Sequence, residues 1–442
     1  MYSIRPLVGL AGVHGKKCAL FMLRKFPAVI LREPNEMMSR RKFCKQIAIT
    51  VGMCAIDDIA LAARKKVIQD LLLIDGVEKE NEAYLTTQIL TYLGNKRSLL
   101  NHIGKGVLSA KERLGKDKVS FFDAFSGSGI VSRYMKRHCD FIIANDMELY
   151  SEVVNKCYLA NKSEINVTEL ENIYTKWKEE TFKHLRSGII SKLYAPEDDK
   201  LIKEGERAFY TKRNALILDS ARATLDCVCP KKYFNLLLAP LLAEASIHPN
   251  TSGVFKGFYK NKEGIGEFGG EGKNALSRIC GEIKLQMPVL SNFECKSIVY
   301  RGDTNEVVKY IPDVDIAYFD PPYNQHPYGS NYFMLNVLAE NKEPKEISKV
   351  SGIPKTWNHS KYNVRSSAEE TFFELLKNVR AKCLLISYNS EGFIKYDKFM
   401  SFLQSIGNVE PVEIEYNTFR GSRNLRERAL KVKEYLFLVN KV

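Results

Sequence analysis

The fold is decided by the stretch FFDAFSGSGI, residues 121–130. An apolar run from Val119 to Phe125 predicts a strand, two glycines follow, and residues 130–137 read as a helix. Glycine lets the chain turn tightly into a helix N-terminus and lets a ligand approach the backbone closely. Strand, glycine loop and helix in this order are typical of the nucleotide-binding start of a doubly wound α/β sheet.

The glycine loop differs from two common phosphate-binding motifs. No Gly-Lys-Ser/Thr follows it, which argues against a P-loop, and the three-glycine dinucleotide fingerprint is incomplete. A second apolar run, residues 141–145, ends in Asp146. An acid at the end of the second strand is placed to hold ribose hydroxyls. We therefore expect a nucleoside-containing ligand at this edge of the sheet.

A second motif, Asp320-Pro321-Pro322-Tyr323, follows the apolar run 316–319. Two prolines cannot donate to a sheet ladder, so a strand must end here. Asp320 and the Pro321 carbonyl can each accept one N–H of an exocyclic amine, and Tyr323 can stack on the base that carries it. Such contacts make the amine nitrogen a better nucleophile. The alternative is a proline turn whose aspartate only caps the strand end.

At these motifs the chain resembles the D12 class, or alpha group, of DNA adenine-N6 methyltransferases, over roughly residues 84–442. The stretch YLGNKR, residues 92–97, is similar to the N-terminal cofactor motif of the family, and RGDT, residues 301–304, to the segment that contacts the cofactor adenine. The order of cofactor motif, long insert and catalytic motif is that of the alpha group.

The resemblance implies a Rossmann-like, seven-stranded methyltransferase sheet with an inserted target-recognition domain, and S-adenosyl-L-methionine as the cofactor. It implies a catalytic motif formed by Asp320, Pro321, Pro322 and Tyr323. The cofactor-binding residues that it implies are Tyr92, Gly94, Lys96, Asp123, Phe125, Gly127, Gly129, Asp146 and Asp303.

Composition agrees with a large nucleic-acid enzyme. The chain has 442 residues, which predicts two or three lobes, and 45% of them are hydrophobic. Lys and Arg total 66 against 52 for Asp and Glu, a formal net charge of +14. A surplus of this size indicates either a polyanionic partner or solubility alone.

Cysteine usage and hydropathy indicate a cytoplasmic protein. The ten cysteines lack metal-ligand spacing, since Cys227 and Cys229 are too close for a zinc knuckle, so we expect free thiols and no metal. No apolar run reaches the eighteen or so residues of a membrane span. No cleavage-site pattern follows the short apolar run 18–22, so no signal peptide is expected.

Three regions are predicted. Residues 1–80 form a partly helical N-terminal extension, with an apolar stripe at helical spacing in 56–68. Residues 81–164 and 296–442 form the catalytic domain, with strands at 297–300, 315–319 and 382–388, and a closing antiparallel hairpin at 412–416 and 435–439. Residues 165–295 form the inserted target-recognition region.

The insert and two nearby segments are candidate DNA contacts. The insert interleaves basic and aromatic residues and ends in a Gly- and Lys-rich loop, which either approaches a phosphate backbone or is a solvated surface loop. Residues 324–332 are a candidate lid over the base, within which His326 reads as a loop histidine rather than a base. Arg420 and Arg423 flank a turn that either contacts phosphate or lies on the surface.

The sequence thus predicts methylation of adenine N6 in a specific duplex sequence by base flipping. The expected partners are double-stranded DNA and a cognate restriction endonuclease, and a monomer is expected. Cytosine-N4 methylation, in which the family usually carries Ser in place of Asp320, RNA adenine methylation and a non-catalytic nucleic-acid-binding protein remain the alternatives.

Overall fold

The structure, a computed structural model, describes residues 80–417 and 431–442. The helices of one turn or more, numbered in chain order, are α1 (Glu82–Thr86), α2 (Leu100–Leu114), α3 (Ile130–Met135), α4 (Leu149–Tyr158), α5 (Val167–Lys183), α6 (Ile189–Leu193), α7 (Lys212–Val228), α8 (Lys231–Ile247), α9 (Leu276–Ile279), α10 (Thr304–Val307), α11 (Tyr328–Asn331), α12 (Phe333–Glu340), α13 (Arg365–Asn378) and α14 (Tyr396–Ile406). The strands are β1 (Val119–Asp123), β2 (Cys139–Asp146), β3 (Lys296–Arg301), β4 (Val314–Phe319), β5 (Ala381–Asn389), β6 (Gly407–Asn417) and β7 (Lys431–Lys441).

The described strands form one sheet in the order β3-β2-β1-β4-β5-β7-β6. The first five pair in parallel, whereas β7 is antiparallel to both β5 and β6. The predicted seven-stranded methyltransferase-like sheet with a closing hairpin is therefore confirmed. Because β1 and β4 are parallel neighbours, the segments that follow them leave the sheet at the same edge.

The first strand and its helix are shorter than the sequence predicts. β1 ends at Asp123: the N–H of Ala124 still donates to the Tyr318 carbonyl of β4 at 3.0 Å, and the chain then turns into the glycine loop, where the N–H of Ser126 donates to the Asn145 carbonyl at 2.9 Å. α3 ends at Met135, where the N–H of His138 donates to the Met135 carbonyl at 2.8 Å. Both ends are set by hydrogen bonds that hydrophobic periodicity does not encode.

The insert, residues 165–295, contains helices α5 to α9. α8 packs on α4 and α12, and the insert shares one buried hydrophobic cluster with the sheet. The described residues belong to one compact unit. The assignment of the insert to target recognition stays a prediction.

Several basic and aromatic residues of the insert form the core rather than a nucleic-acid surface. Trp177 is fully buried and its Nε1 donates to the Ala221 carbonyl at 2.7 Å. Arg222 is also buried and donates to the carbonyls of Leu338 and Ala339 at 3.1 and 3.0 Å. The interpretation of this interleaved pattern as a contact surface is therefore wrong for the buried residues Trp177, Phe209, Tyr210, Arg222 and Tyr233.

Two predicted segments cannot be compared with the structure. The N-terminal extension, apart from Glu80, and the turn that carries Arg420 and Arg423 lie outside the described residues.

Candidate active site

One cavity lies at the edge of the sheet where β1, β2 and β4 end. Most of the residues singled out from the sequence line it, namely Tyr92, Gly94, Lys96, Asp123, Phe125, Gly127, Asp146, Asp303, Asp320 and Pro322. Gly129, Pro321 and Tyr323 do not line it. Parallel strand order brings together motifs that lie far apart in the sequence.

The glycine loop is shaped by two left-handed residues. Gly127 has φ +51° and Gly129 has φ +73°, a region that favours glycine. The N–H of Gly127 donates to Asp146 Oδ2 at 2.8 Å, and the N–H of Glu148 donates to Asp146 Oδ1 at 3.0 Å. Gly129 precedes α3, and a Cβ there would lie 2.8 Å from Asn155 Oδ1. Gly129 therefore shapes the loop without facing the cavity.

Asp123 offers a buried acceptor with no protein donor. Its side chain is 1% exposed, and Oδ2 accepts from the Ser132 hydroxyl at 2.6 Å. Oδ1 has no hydrogen-bond partner among the residues described. Burial raises the pKa of Asp123 to about 7, although the Ser132 hydrogen bond opposes this. A buried acceptor without a donor is costly, so a cationic or N–H group of a ligand fits here.

The N-terminal motif is held by the segment that follows the Asp-Pro-Pro-Tyr tetrad. The N–H of Leu93 donates to the Tyr332 hydroxyl at 2.7 Å, and the Leu93 carbonyl accepts from Tyr328 at 3.1 Å. The ring of Tyr92 stacks on those of Tyr328 and Tyr332 at centroid distances of 5.0 and 4.7 Å. The prediction of residues 324–332 as a lid is wrong for its second half, because Ser330, Asn331 and Tyr332 are packed in the core.

Lys96 links the N-terminal motif to the tetrad. Its Nζ lies 2.9 Å from Asp320 Oδ1 and 2.9 Å from Glu434 Oε1 of β7. Lys96 is 5% exposed; burial opposes its charge, but Asp320 and Glu434 together hold its pKa well above the usual value. Burial raises the pKa of Asp320 to about 6, and Lys96 opposes this rise. At neutral pH both groups are therefore mainly charged.

The rest of the tetrad is fixed by the turn that follows β5. The Tyr323 carbonyl accepts a hydrogen bond from the N–H of Phe393 at 3.2 Å. The rings of Tyr323 and Tyr388 pack edge to face, with their centroids 6.0 Å apart. Pro321 is buried, and within the described chain no donor reaches its carbonyl. Asp320 and this carbonyl are thus two acceptors on consecutive residues.

Other cavity residues were not singled out from the sequence. Some lie within the recognised motifs or directly after them and could have been found by assigning a role to every position there, namely Asn95, Ser126, Ser128, Met147, Glu148 and Thr304. Asn358, Ser360, Tyr362 and Asn363 come from the connection between α12 and α13, which carries no motif. Asn358 Nδ2 donates to Glu148 Oε2 at 3.1 Å, and the Tyr362 ring packs edge-on against Phe125 at 5.0 Å.

The strand order, the glycine loop and the Asp-Pro-Pro-Tyr turn at one edge of the sheet define a methyltransferase. The chain belongs to the family described as D12 class N6 adenine-specific DNA methyltransferase, whose sequence profile matches residues 92–401. The protein is accordingly an adenine-N6 DNA methyltransferase, which disfavours the cytosine-N4 and RNA alternatives.

Three curated relatives have similar sequences. The type II methyltransferase M.NlaIII of Neisseria lactamica is 30% identical over 365 residues, which cover 80% of this chain and 99% of that protein. M.CviAII of Paramecium bursaria Chlorella virus 1 is 28% identical, over 79% of this chain and 97% of that protein. M.FokI of Planomicrobium okeanokoites is 27% identical, over 80% of this chain but 53% of that protein.

Proposed function

We propose that the protein transfers the methyl group of S-adenosyl-L-methionine to the N6 amino group of an adenine that is flipped out of a specific duplex sequence. One observation carries this proposal. Asp123 is the last residue of β1 and Asp320 directly follows the neighbouring parallel strand β4; both line one cavity, and each has a carboxylate oxygen that no described residue pairs.

The first of these carboxylates suits the cofactor. Asp123 Oδ1 would accept from the ammonium of its methionine part. Asp146 would hold the ribose, since each oxygen that accepts a backbone N–H keeps a second lone pair. When bound, the cofactor supplies an electrophilic methyl group. The proposed cofactor-binding residues are Tyr92, Gly94, Lys96, Asp123, Phe125, Gly127, Asp146 and Asp303, with Gly129 acting through the loop.

The second carboxylate suits the target base. Asp320 and the Pro321 carbonyl would each accept one N–H of the adenine amine, which orients its lone pair toward the methyl group. Tyr323 would stack on the base, and Pro322 would hold the turn. A base inside a stacked duplex cannot reach this cavity, so the adenine must flip out.

The hairpin at the end of the insert suits the DNA backbone. Residues 259–267 fold back on themselves, with Lys260 bridged to Gly266 and the N–H of Asn261 donating to the Ile265 carbonyl at 2.8 Å. Lys256 and Lys262 are exposed. The N–H of Phe255 donates to the Asn331 carbonyl at 2.7 Å, which joins the hairpin to the segment that lines the cavity. We propose duplex DNA as the partner of this surface.

The names of the relatives suggest the biological setting. Three are called type II methyltransferases, and another, from Lactococcus lactis, is called a modification methylase. We infer that the protein protects DNA within a restriction-modification system and that a cognate endonuclease exists.

Within residues 80–417 and 431–442, none of the helices is both long and apolar enough to cross a membrane. A cytoplasmic, monomeric protein remains a prediction.

The experiment compares the wild-type protein with Asp320→Ala on unmethylated genomic DNA and S-adenosyl-L-methionine. Mass spectrometry of the digested nucleosides should detect N6-methyladenine with the wild type, and the loss of one acceptor should lower the rate about 100-fold or more. Cofactor affinity, measured by calorimetry, should be nearly unchanged. Methylation-aware sequencing would then read the target sequence. Near wild-type activity of Asp320→Ala would contradict the assignment of the catalytic residue.

A further inference from the structure

Glu434 lies on β7, outside every motif recognised in the sequence, yet its carboxylate is buried beside the reacting end of the cavity. We propose that Glu434 is a positioning residue for methyl transfer. Through Lys96 it keeps the Asp320 carboxylate turned toward the amine. This inference rests on the proposed function of Asp320.

The contacts form a continuous chain. Lys96 Nζ lies 2.9 Å from both Asp320 Oδ1 and Glu434 Oε1, and Glu434 Oε2 accepts from Asn389 Nδ2 at 3.0 Å. Asn389 is directly opposite Glu434 in the register of β5 and β7. The sheet itself therefore fixes the Glu434 side chain, which in turn fixes the Lys96 ammonium.

The charges explain why two carboxylates share one lysine. An ammonium paired with Asp320 alone would neutralise the group that must accept from the substrate amine. With Glu434 the cluster carries one surplus negative charge. The Asp320 side chain is 19% exposed, whereas that of Glu434 is 5% exposed. Because a charge costs less where it is less buried, the surplus negative charge is best accommodated on Asp320, which lines the cavity. One Asp320 oxygen then stays available for the amine.

The groups around Asp320 predict in which direction its pKa changes when each of them is replaced. Lys96 lowers the pKa of Asp320 and Glu434 raises it. Asp123 lies near enough for its own pKa to be raised by Asp320. Within residues 80–417 and 431–442, three buried phenols also face the cluster, and burial raises their pKa values, so they stay neutral in the assay range: Tyr318, Tyr323 and Tyr328.

The test measures single-turnover rates against pH with saturating DNA and cofactor. In Glu434→Gln the plateau rate should fall about tenfold, because the ammonium is held less well. The acid limb of the profile should move to lower pH. In Lys96→Met the limb should move to higher pH. The affinities of Glu434→Gln for DNA and cofactor should match the wild type.

A matched control is Glu413→Gln. Glu413 also pairs with a lysine, Lys433 at 2.6 Å, on the same hairpin, but its side chain is exposed. Its rates and acid limb should match the wild type. If Glu434→Gln unfolds, Asn389→Ala replaces it: the Glu434 charge remains, so the rate should fall while the acid limb stays in place.

The outcomes separate this inference from the proposed function. Wild-type rates and an unmoved acid limb in Glu434→Gln, or a wild-type rate in Asn389→Ala, would overturn the inference while Asp320→Ala remained inactive. A wild-type protein that forms no N6-methyladenine would instead contradict the proposed function.

Discussion

Gly127 faces the ring of Tyr92 so closely that a Cβ atom on this glycine would lie 3.1 Å from Tyr92 Cε1. The loop after β1 and the N-terminal motif thus meet across the cavity, and Tyr92 is in turn held by its stacking on Tyr328 and Tyr332. The cavity keeps its shape only while position 127 has no side chain.

Gly127→Ala should therefore weaken cofactor binding about tenfold or more, because the methyl group displaces the Tyr92 ring or fills the cavity. Calorimetry with S-adenosyl-L-methionine measures this. Gly115→Ala is the matched control, since Gly115 also has positive φ, +62°, but has nothing within 4 Å of its Cβ position. Both variants should lose about 1 kcal/mol of stability from backbone strain. Equal cofactor affinities of the two variants would contradict the prediction.

The pH dependence of cofactor binding should report Asp123. Its pKa is raised to about 7, so the carboxylate gains a proton, and loses its attraction for the cofactor ammonium, as pH falls below 7. Affinity should decline by up to about tenfold per pH unit between pH 7 and 5.5. Asp123→Asn should bind weakly and show no such decline. A decline of the same size in Asp123→Asn would assign the effect to another group.

Three lysines of the insert should contribute to DNA binding. Replacing Lys256, Lys260 and Lys262 with Gln should weaken DNA binding. The slope of log affinity against log salt concentration should become shallower by roughly one for each phosphate contact that is lost. Cofactor affinity should not change. The control neutralises three exposed lysines outside the insert, or at its border, that the proposal does not assign to DNA, namely Lys118, Lys296 and Lys309. If the slope falls equally in both triple variants, the salt dependence reports the overall charge of the protein, which would contradict a specific contact of these three lysines with DNA.

Asp315 should stabilise the fold from the opposite edge of the sheet. Lys116 Nζ lies 2.7 Å from Asp315 Oδ2 and Lys382 Nζ lies 3.1 Å from Oδ1, and both the N–H and the hydroxyl of Ser120 donate to Oδ2. Burial opposes the charge of Asp315, but the Lys116 contact and the other donors outweigh it and lower its pKa to about 2. A lowered pKa stabilises the folded state above the unfolded value near 3.9 and ceases to do so as pH falls toward 2.

Asp315→Asn should accordingly lower the free energy of unfolding by about 1 to 2 kcal/mol at pH 7, a figure reduced for the solvent exposure of both lysines. Urea denaturation should show the gap to the wild type closing between pH 4 and pH 2. Asp313→Asn, whose aspartate pairs with Arg380 on the surface, should change stability little. A gap that stays constant down to pH 2 would mean that the charge of Asp315 is not the cause.

The sequence alone determined the fold class and the strand ends at which the cavity lies. A strand followed by Gly-x-Gly and a strand ended by two prolines are local patterns. The backbone freedom of glycine and the missing N–H of proline dictate the local structure whatever surrounds them. The parallel sheet, the closing hairpin and the residues that line the cavity at Asp123, Asp146 and Asp320 follow from such patterns.

The tertiary structure alone decided which of the remaining polar and aromatic residues face the cavity. Lys96 could be read from its motif as a cofactor ligand, but the sheet places its ammonium between Asp320 and Glu434. Trp177 and Arg222 belong to the interleaved basic and aromatic pattern of the insert, yet both lie in the core. Burial, strand register and ion pairing join residues that are distant in the chain, so no local pattern encodes them. Local patterns predict that each element exists, whereas only packing and hydrogen bonding set where it ends and which partners each side chain has.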